Sequence, residues 1–296
     1  MNLTKYHGLG NDYLVYDPNR EPLPLTEARV RLICHRNYGV GSDGILYGPI
    51  LSGGEVALRI FNPDGSEAEK SGNGIRIFAK YLLDEGYVRS SFVLHTLGGD
   101  VDVEYLDPEG HRIKAMMGRV TFQSGEIPVA GRAREIVDEA ATFAGEDVRI
   151  TCLSVGNPHC VIPMADLSPE KACQLGSIVE TDPRFPNRIN MQLLRVRDRG
   201  NIEIEIFERG AGYTLASGSS SCAAACAAHR LGLADSEITV HMPGGQMQVS
   251  IQPDWRVYLT GTVDKVGVTV LDEAFVQALV AMDDNAYKPW NRAALQ

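Results

Sequence analysis

The chain repeats itself. At a constant offset of 146 residues, Gly10-Asn11 matches Gly156-Asn157, Phe61 matches Phe207, and Ser71-Gly72 matches Ser217-Gly218. Gly86 matches Gly232, His95 matches His241, and Gly98-Gly99 matches Gly244-Gly245 at the same offset. No gap is needed across this span. Identities that fall on glycines and turn residues, in one order, mark a duplicated structural unit. With 296 residues, each copy has the length of an ordinary domain. The spacing predicts a first half over 1–116, a second half over 117–272, and a closing helix with a polar tail over 273–296.

Local patterns agree between the halves. Residues 75–84, IRIFAKYLLD, carry apolar groups at helical spacing, and residues 221–231, SCAAACAAHRL, are alanine-rich. Both predict a buried helix. Gly86 and Gly232 then follow the helix ends, where a left-handed residue is wanted. Next come SFVLHTLGGDVDVEY and EITVHMPGGQMQVSI, each reading as strand, Gly-Gly turn, strand. Residues 132–145, RAREIVDEAATFAG, predict an extra helix in the second half, and EAFVQALVAM (273–282) predicts the closing one. Short strands around one central helix per half predict an α+β fold of two pseudo-symmetric domains.

Composition narrows the partners. The net charge of -10 argues against nucleic acid or an anionic membrane as the main partner. No basic segment followed by an apolar run opens the chain, and no stretch reaches the roughly 18 apolar residues that cross a bilayer. A cytoplasmic protein is expected. Six cysteines (Cys34, Cys152, Cys160, Cys173, Cys222 and Cys226) are scattered, with no CxxC pair. Buried free thiols are expected in place of a disulfide framework or a metal site.

A pseudo-twofold relation would bring Ser71 and Ser217 face to face across a cleft. Each precedes a glycine and a helix start. Helix N-termini offer unpaired N–H groups and a partial positive charge, which suit a carboxylate. Two opposed side chains can also take a proton from one face of a carbon and return one to the other. Simple N-capping explains the same serines. Asn11 and Asn157 are likewise explained by turn formation, Glu208-Arg209 by a solvated ion pair, and His95 and His241 by packing.

Taken in order, the motifs KYHGLGNDYLVYD, RNYGVGSDG (36–44), NPDGSEAEKSGNGIRIFAKYL (62–82), GNPHCV (156–161), RIN (188–190) and ERGAGYTLASGSSSCAAA (208–225) resemble the diaminopimelate epimerases along nearly the whole chain. Proline racemases and phenazine-pathway isomerases resemble the same fold. The resemblance implies two domains, each a β-barrel-like sheet around a central helix, with the active site between them. It also implies a homodimer and catalysis with no cofactor or metal. Its acid–base pair is two cysteines, and here Ser71 and Ser217 stand at those positions. His159 and Glu208 match the polar residues that flank the thiols, so these four are the candidate catalytic groups. Asn11, Asn62, Asn157, Asn190 and Arg209 match substrate-holding residues. Gly72-Asn73 and Gly218-Ser219 match the loops that receive a carboxylate. Tyr213 stands where the family usually has Glu.

The expected function is therefore epimerisation of LL- and meso-diaminopimelate, or of a related amino acid, at its α-carbon. A thiol ionises near pH 8.5 and a serine hydroxyl far higher. The serine pair, natural or introduced, leaves several alternatives: activated serines, His159 and Glu208 as the direct acid and base, a ligand-binding protein without turnover, or another isomerase or lyase on the same scaffold.

Overall fold

The computed structural model describes residues 1–21 and 23–282. The tail read as polar, 283–296, lies outside them. The described chain divides into two compact units, residues 1–115 with 262 onward, and residues 116–261.

In the first unit, β1 (Asn2–Gly8) and β2 (Asn11–Tyr16) form an antiparallel hairpin. After α1 (Glu27–Cys34), β3 (Ile45–Ser52) runs parallel to β2, with Leu14 opposite Ile45. It continues antiparallel into β4 (Glu55–Phe61) and β5 (Glu67–Ala68). The central helix α2 (Gly72–Asp84) follows, then β6 (Phe92–Thr96), β7 (Gly99–Tyr105) and β8 (Arg112–Arg119), where the first unit ends.

The second unit repeats this order. It contains β9 (Glu139–Phe143), β10 (Glu146–Ser154), β11 (Pro158–Pro163), α3 (Pro169–Val179), β12 (Asn190–Asp198), β13 (Asn201–Glu208), β14 (Gly212–Thr214), α4 (Gly218–Arg230), β15 (Glu237–Met242), β16 (Gly245–Ile251) and β17 (Arg256–Thr262). The repeat survives to the residue. Helix α4 begins and ends 146 positions after α2, as β16 does after β7. Parallel strands β11 and β12 place Cys160 opposite Met191, the counterparts of Leu14 and Ile45.

Each central helix is buried on nearly every side, so it is apolar all round rather than striped. In α2 the filling is bulky: Ile75, Ile77, Phe78, Tyr81 and Leu82 pack with Tyr13, Leu46, Leu58, Leu94 and Val101. In α4 it is small, with seven residues from Cys222 to Ala228 fully buried. Small side chains let β10–β13, β15 and β16 pack directly on that helix. Enlarging one, such as Ala224→Leu, would overpack the core at a cost of about 1–3 kcal/mol. Gly86 and Gly232 leave their helices at φ 75° and 73°, the left-handed exit expected.

Two expectations are corrected. Residues 132–145 hold no helix: Glu139–Phe143 is strand β9, antiparallel to β10, with Ala141 and Phe143 turned inward. Ala144 and Gly145 sit at φ 52° and 80°, the two-residue turn of a tight hairpin. Pairing and alternate burial thus override the helical propensity of this stretch. The second half also stops short of 272. Strand β18 (Asp264–Val270) pairs with β1, and α5 (Glu273–Val280) carries Leu279 into the core built on Leu3, Leu14 and Val30. In the first unit β18 flanks β1 as β9 flanks β10 in the second. Among the described residues all six cysteines are free; five are buried, and Cys173 is exposed, contrary to the expectation.

Candidate functional site

Ser71 ends the chain segment leading into α2. Its extended backbone (φ -141°, ψ 120°) makes it the N-cap, and its Oγ accepts from the Gly74 N–H at 3.1 Å. The turn between β6 and β7 braces this segment. Gly98 N–H donates to Glu69 O at 2.8 Å, and a Cβ on Gly98 would stand 2.9 Å from that oxygen. The second unit repeats the device: Gly244 N–H donates to Leu215 O at 2.8 Å, ahead of Ser217. The glycine of each turn therefore holds a capping serine in place.

Polar groups gather around the α2 N-terminus. The Tyr13 hydroxyl lies 3.2 Å from Ser71 Oγ. Asn73 Nδ2 donates to Asn11 Oδ1 at 3.0 Å, and Asn11 Nδ2 donates to Asp43 at 2.9 Å. Buried Arg76 donates to Asn73 Oδ1 at 2.7 Å and to Gly72 O at 2.9 Å. Asp12 pairs with Lys5 at 2.6 Å and with Arg36 at 2.8 Å, and Arg36 also holds Asp43 at 2.8 Å. Burial works against the Asp12 carboxylate, yet the hydrogen bonds from Arg36 and Lys5 outweigh it and hold its pKa below the usual range. Asn62 is engaged in its own turn, donating to Ser66 Oγ at 3.0 Å.

The α4 N-terminus has a different set. Ser217 caps the helix, accepting from Ser220 N–H at 3.4 Å. Asn157 Nδ2 donates to Ser219 Oγ at 3.4 Å, the counterpart of the Asn73–Asn11 bond. His159 is fully buried. Its Nε2 lies 3.0 Å from Asn157 Oδ1 and its Nδ1 lies 3.3 Å from Gln192 Oε1. Gln192 in turn donates to Ser220 Oγ at 3.0 Å. Burial, against the Gln192 hydrogen bond, pushes the His159 pKa down to about 3, so the ring is neutral at physiological pH. The structure thus gives His159 to Asn157 and Gln192, not to Ser217.

Asn190 is buried, donating to Pro158 O at 2.9 Å and accepting from the Arg209 N–H at 2.9 Å. Arg209 is exposed, with one guanidinium nitrogen on Asn187 O at 3.0 Å. Glu208 ends β13, half-buried, and among the described residues no ion pair joins it to Arg209. Tyr213 donates to Glu205 at 2.7 Å. His95 and His241 bond Asp100 (2.6 Å) and Asn201 (2.9 Å).

Sequence reasoning missed Tyr13, Asp43, Arg76, Gln192 and Ser220. The repeat carried a usable signal for one of them: Tyr13 lies 146 positions before His159. Gln192 and Ser220 had none, because their counterparts Leu46 and Gly74 are apolar or bare.

A family model for diaminopimelate epimerase matches residues 3–123 and 151–266. The chain is 52% identical over 269 residues to diaminopimelate epimerase 2 of a Nostoc strain, covering 90% of this chain and 94% of that one. It is 37% identical to the diaminopimelate epimerase of Moorella thermoacetica, covering 90% and 97%. Among solved structures, a hydroxyproline epimerase from Agrobacterium vitis shares the fold with a TM-score of 0.65 at 15% identity, covering 91% of this chain and 90% of that one. A predicted epimerase from Pseudomonas aeruginosa does so at 0.67 and 17%, covering 91% and 98%. The chain belongs to the diaminopimelate epimerase family. It is accordingly an isomerase, an amino-acid epimerase by descent. None of its described helices is long and apolar enough to cross a membrane.

Proposed function

We propose that this chain inverts the α-carbon of diaminopimelate, in the cytoplasm, with Ser71 and Ser217 as the two proton-handling positions. One observation carries the reading. At equivalent places in the repeat, a serine oxygen caps a buried central helix and accepts a backbone N–H from its first turn.

In the reaction, the α-proton leaves as H⁺ to one oxygen. Its electron pair stays on carbon, delocalised toward the substrate carboxylate. The other oxygen delivers a proton to the opposite face. An alkoxide is costly in water. A helix N-terminus with aimed N–H donors lowers that cost, since donors placed where charge develops stabilise it without reorganising. Gly72, Asn73, Gly218 and Ser219 suit the carboxylate by the same argument. Asn11, Asn62, Asn157, Asn190 and Arg209 supply partners for the amino group and the distal end, Arg209 through its planar fork. Glu208 is the free carboxylate of the set. His159 is neutral, so a single ring N–H can donate, and given to Asn157 Oδ1 at 3.0 Å it orients that side chain.

The relatives' names support diaminopimelate as substrate. One Nostoc strain carries both a diaminopimelate epimerase 2, 52% identical to this chain, and a diaminopimelate epimerase 1, 37% identical. That split favours a specialised copy, so related amino acids belong in the test. The family likeness also supports assembly as a homodimer, which sedimentation velocity measures.

Incubation with diaminopimelate stereoisomers and other amino acids in D2O, followed by proton NMR, tests the reading. Loss of the α-hydrogen signal is expected with the unmodified chain. Exchange only in the Ser71→Cys/Ser217→Cys variant would show an intact binding site whose serines do not move protons. No exchange in either would sink the epimerase reading for these substrates.

A further inference from the structure

Tyr13 and His159 are counterparts in the repeat, yet they reach different groups. His159 is taken up by Asn157 and Gln192. Tyr13 extends to Ser71, its hydroxyl 3.2 Å from Oγ. The ring is buried in the α2 core, with Tyr6, Val15 and Leu46 in the same cluster. Space for it is built into the backbone: a Cβ on Gly44 would stand 2.7 Å from Tyr13 Cε1. The counterpart of Gly44 is Asn190, so the second unit keeps no such room.

From this placement we infer that Tyr13 is a positioning residue for proton transfer, donating its O–H to Ser71 Oγ. The inference rests on Ser71 being one of the two proton-handling positions. A phenol is the more acidic partner of a phenol–alcohol pair, so it is the better donor. Gly74 N–H already occupies one lone pair of Oγ. With Tyr13 on the other, the Ser71 hydrogen is the one group left to point away from the protein. When that proton passes to the substrate carbon, the O–H bond breaks and the C–H bond forms. The alkoxide left behind keeps two donors, Tyr13 and Gly74. When Ser71 takes a proton, the same two donors hold the alkoxide that accepts it. Among the described residues, Ser217 Oγ accepts from the Ser220 N–H at 3.4 Å, and its repeat counterpart of Tyr13 is His159, which turns to other partners. The two proton-handling positions are therefore unequal, and Ser71 is the better supported.

A thiol placed at position 71 reads this without any substrate. In the Ser71→Cys chain, the rate of alkylation of that thiol against pH gives its ionisation, resolved from the other cysteines by peptide mass spectrometry. Adding Tyr13→Phe is expected to cut the thiolate fraction at neutral pH about tenfold, the loss of one hydrogen bond to a charged group. Tyr6→Phe, which removes a hydroxyl from the same core but one bound to Asp84, is expected to leave the titration alone. An unchanged titration in a folded Tyr13→Phe chain, or an equal shift in Tyr6→Phe, overturns the proposal. In the unmodified background, Tyr13→Phe is expected to lower kcat for α-hydrogen exchange about tenfold with little change in KM. If the unmodified chain exchanges no amino acid, the epimerase reading falls while the thiol titration still decides the role of Tyr13.

Discussion

The N-termini of α2 and α4 share a backbone and differ in chemistry. Around α2 charged groups join the neutral ones: Lys5, Asp43 and Arg36 are at least partly exposed, with Asp12 and Arg76 buried beside them. Around α4 they are neutral, and three of them, His159, Gln192 and Ser220, are fully buried. Duplication fixed where the two helices begin. It did not fix which side chains answer each other there. A reaction that strips one face of a carbon and rebuilds the other has two different tasks, and two unequal termini suit it better than two copies of one.

The largest effect expected is on turnover. Ser71→Ala and Ser217→Ala should each reduce α-hydrogen exchange by about a hundredfold or more, the usual range for removing a positioned acid or base. Inversion needs both, because a proton taken from one face must be matched by one given to the other. If Ser217→Ala retained full exchange and inversion, only the α2 terminus would handle protons and the comparison would break.

Much of the fold was legible because its signals are local. Helix spacing in 75–84, the glycines that exit each helix, and the two Gly-Gly turns identify themselves. Residues 132–145 misled because their alanines and acids favour helix locally, while the deciding facts are the pairing with β10 and a left-handed Ala144. The return of β18 to β1 was hidden for the same reason: 268 positions separate the paired residues Asn2 and Val270 in sequence, and no local pattern spans that. At the site, the asparagines and serines were visible through the repeat. The Gln192–Ser220 bond was not, since it exists only where the two copies differ.

Acid should sharpen the contrast next. Burial pushes the His159 pKa down to about 3. Above about pH 6.5 the ring is neutral in both the folded and unfolded chain. As pH falls toward 3, the unfolded chain binds a proton that the folded chain refuses, so stability is lost, on the order of 1 kcal/mol per pH unit. Urea midpoints measured from pH 7 to 5 should fall more steeply for the unmodified chain than for His159→Gln. Equal slopes would mean that the ring is charged or solvated in the native state.

Smaller again is the cost of the buried network. Gln192→Leu copies the first unit, where Leu46 stands at the equivalent position. It leaves His159 Nδ1 and Ser220 Oγ without their partner, which should cost about 1–3 kcal/mol. Ser220→Gly then removes one of the stranded groups and completes the copy, since Gly74 is its counterpart. The double variant should therefore be less destabilised than the two single changes added together. Strict additivity in thermal unfolding would show that the pair is not coupled.

The smallest effect separates capping from chemistry at the serines themselves. Ser71 Oγ accepts its helix N–H at 3.1 Å, and Ser217 does so at 3.4 Å. As caps alone, Ser71→Ala should cost about 1 kcal/mol of stability and Ser217→Ala less, because the longer bond is the weaker one. Ser168 caps α3 at 3.1 Å with none of the candidate site residues on its helix. Ser168→Ala therefore calibrates the cap, with a comparable loss of stability and unchanged exchange. Should Ser71→Ala and Ser168→Ala lower unfolding midpoints alike while only the first stops exchange, the serine at α2 does more than cap. Should both leave exchange intact, capping is the whole of its role and proton transfer must be assigned elsewhere, with Glu208 the first residue to replace.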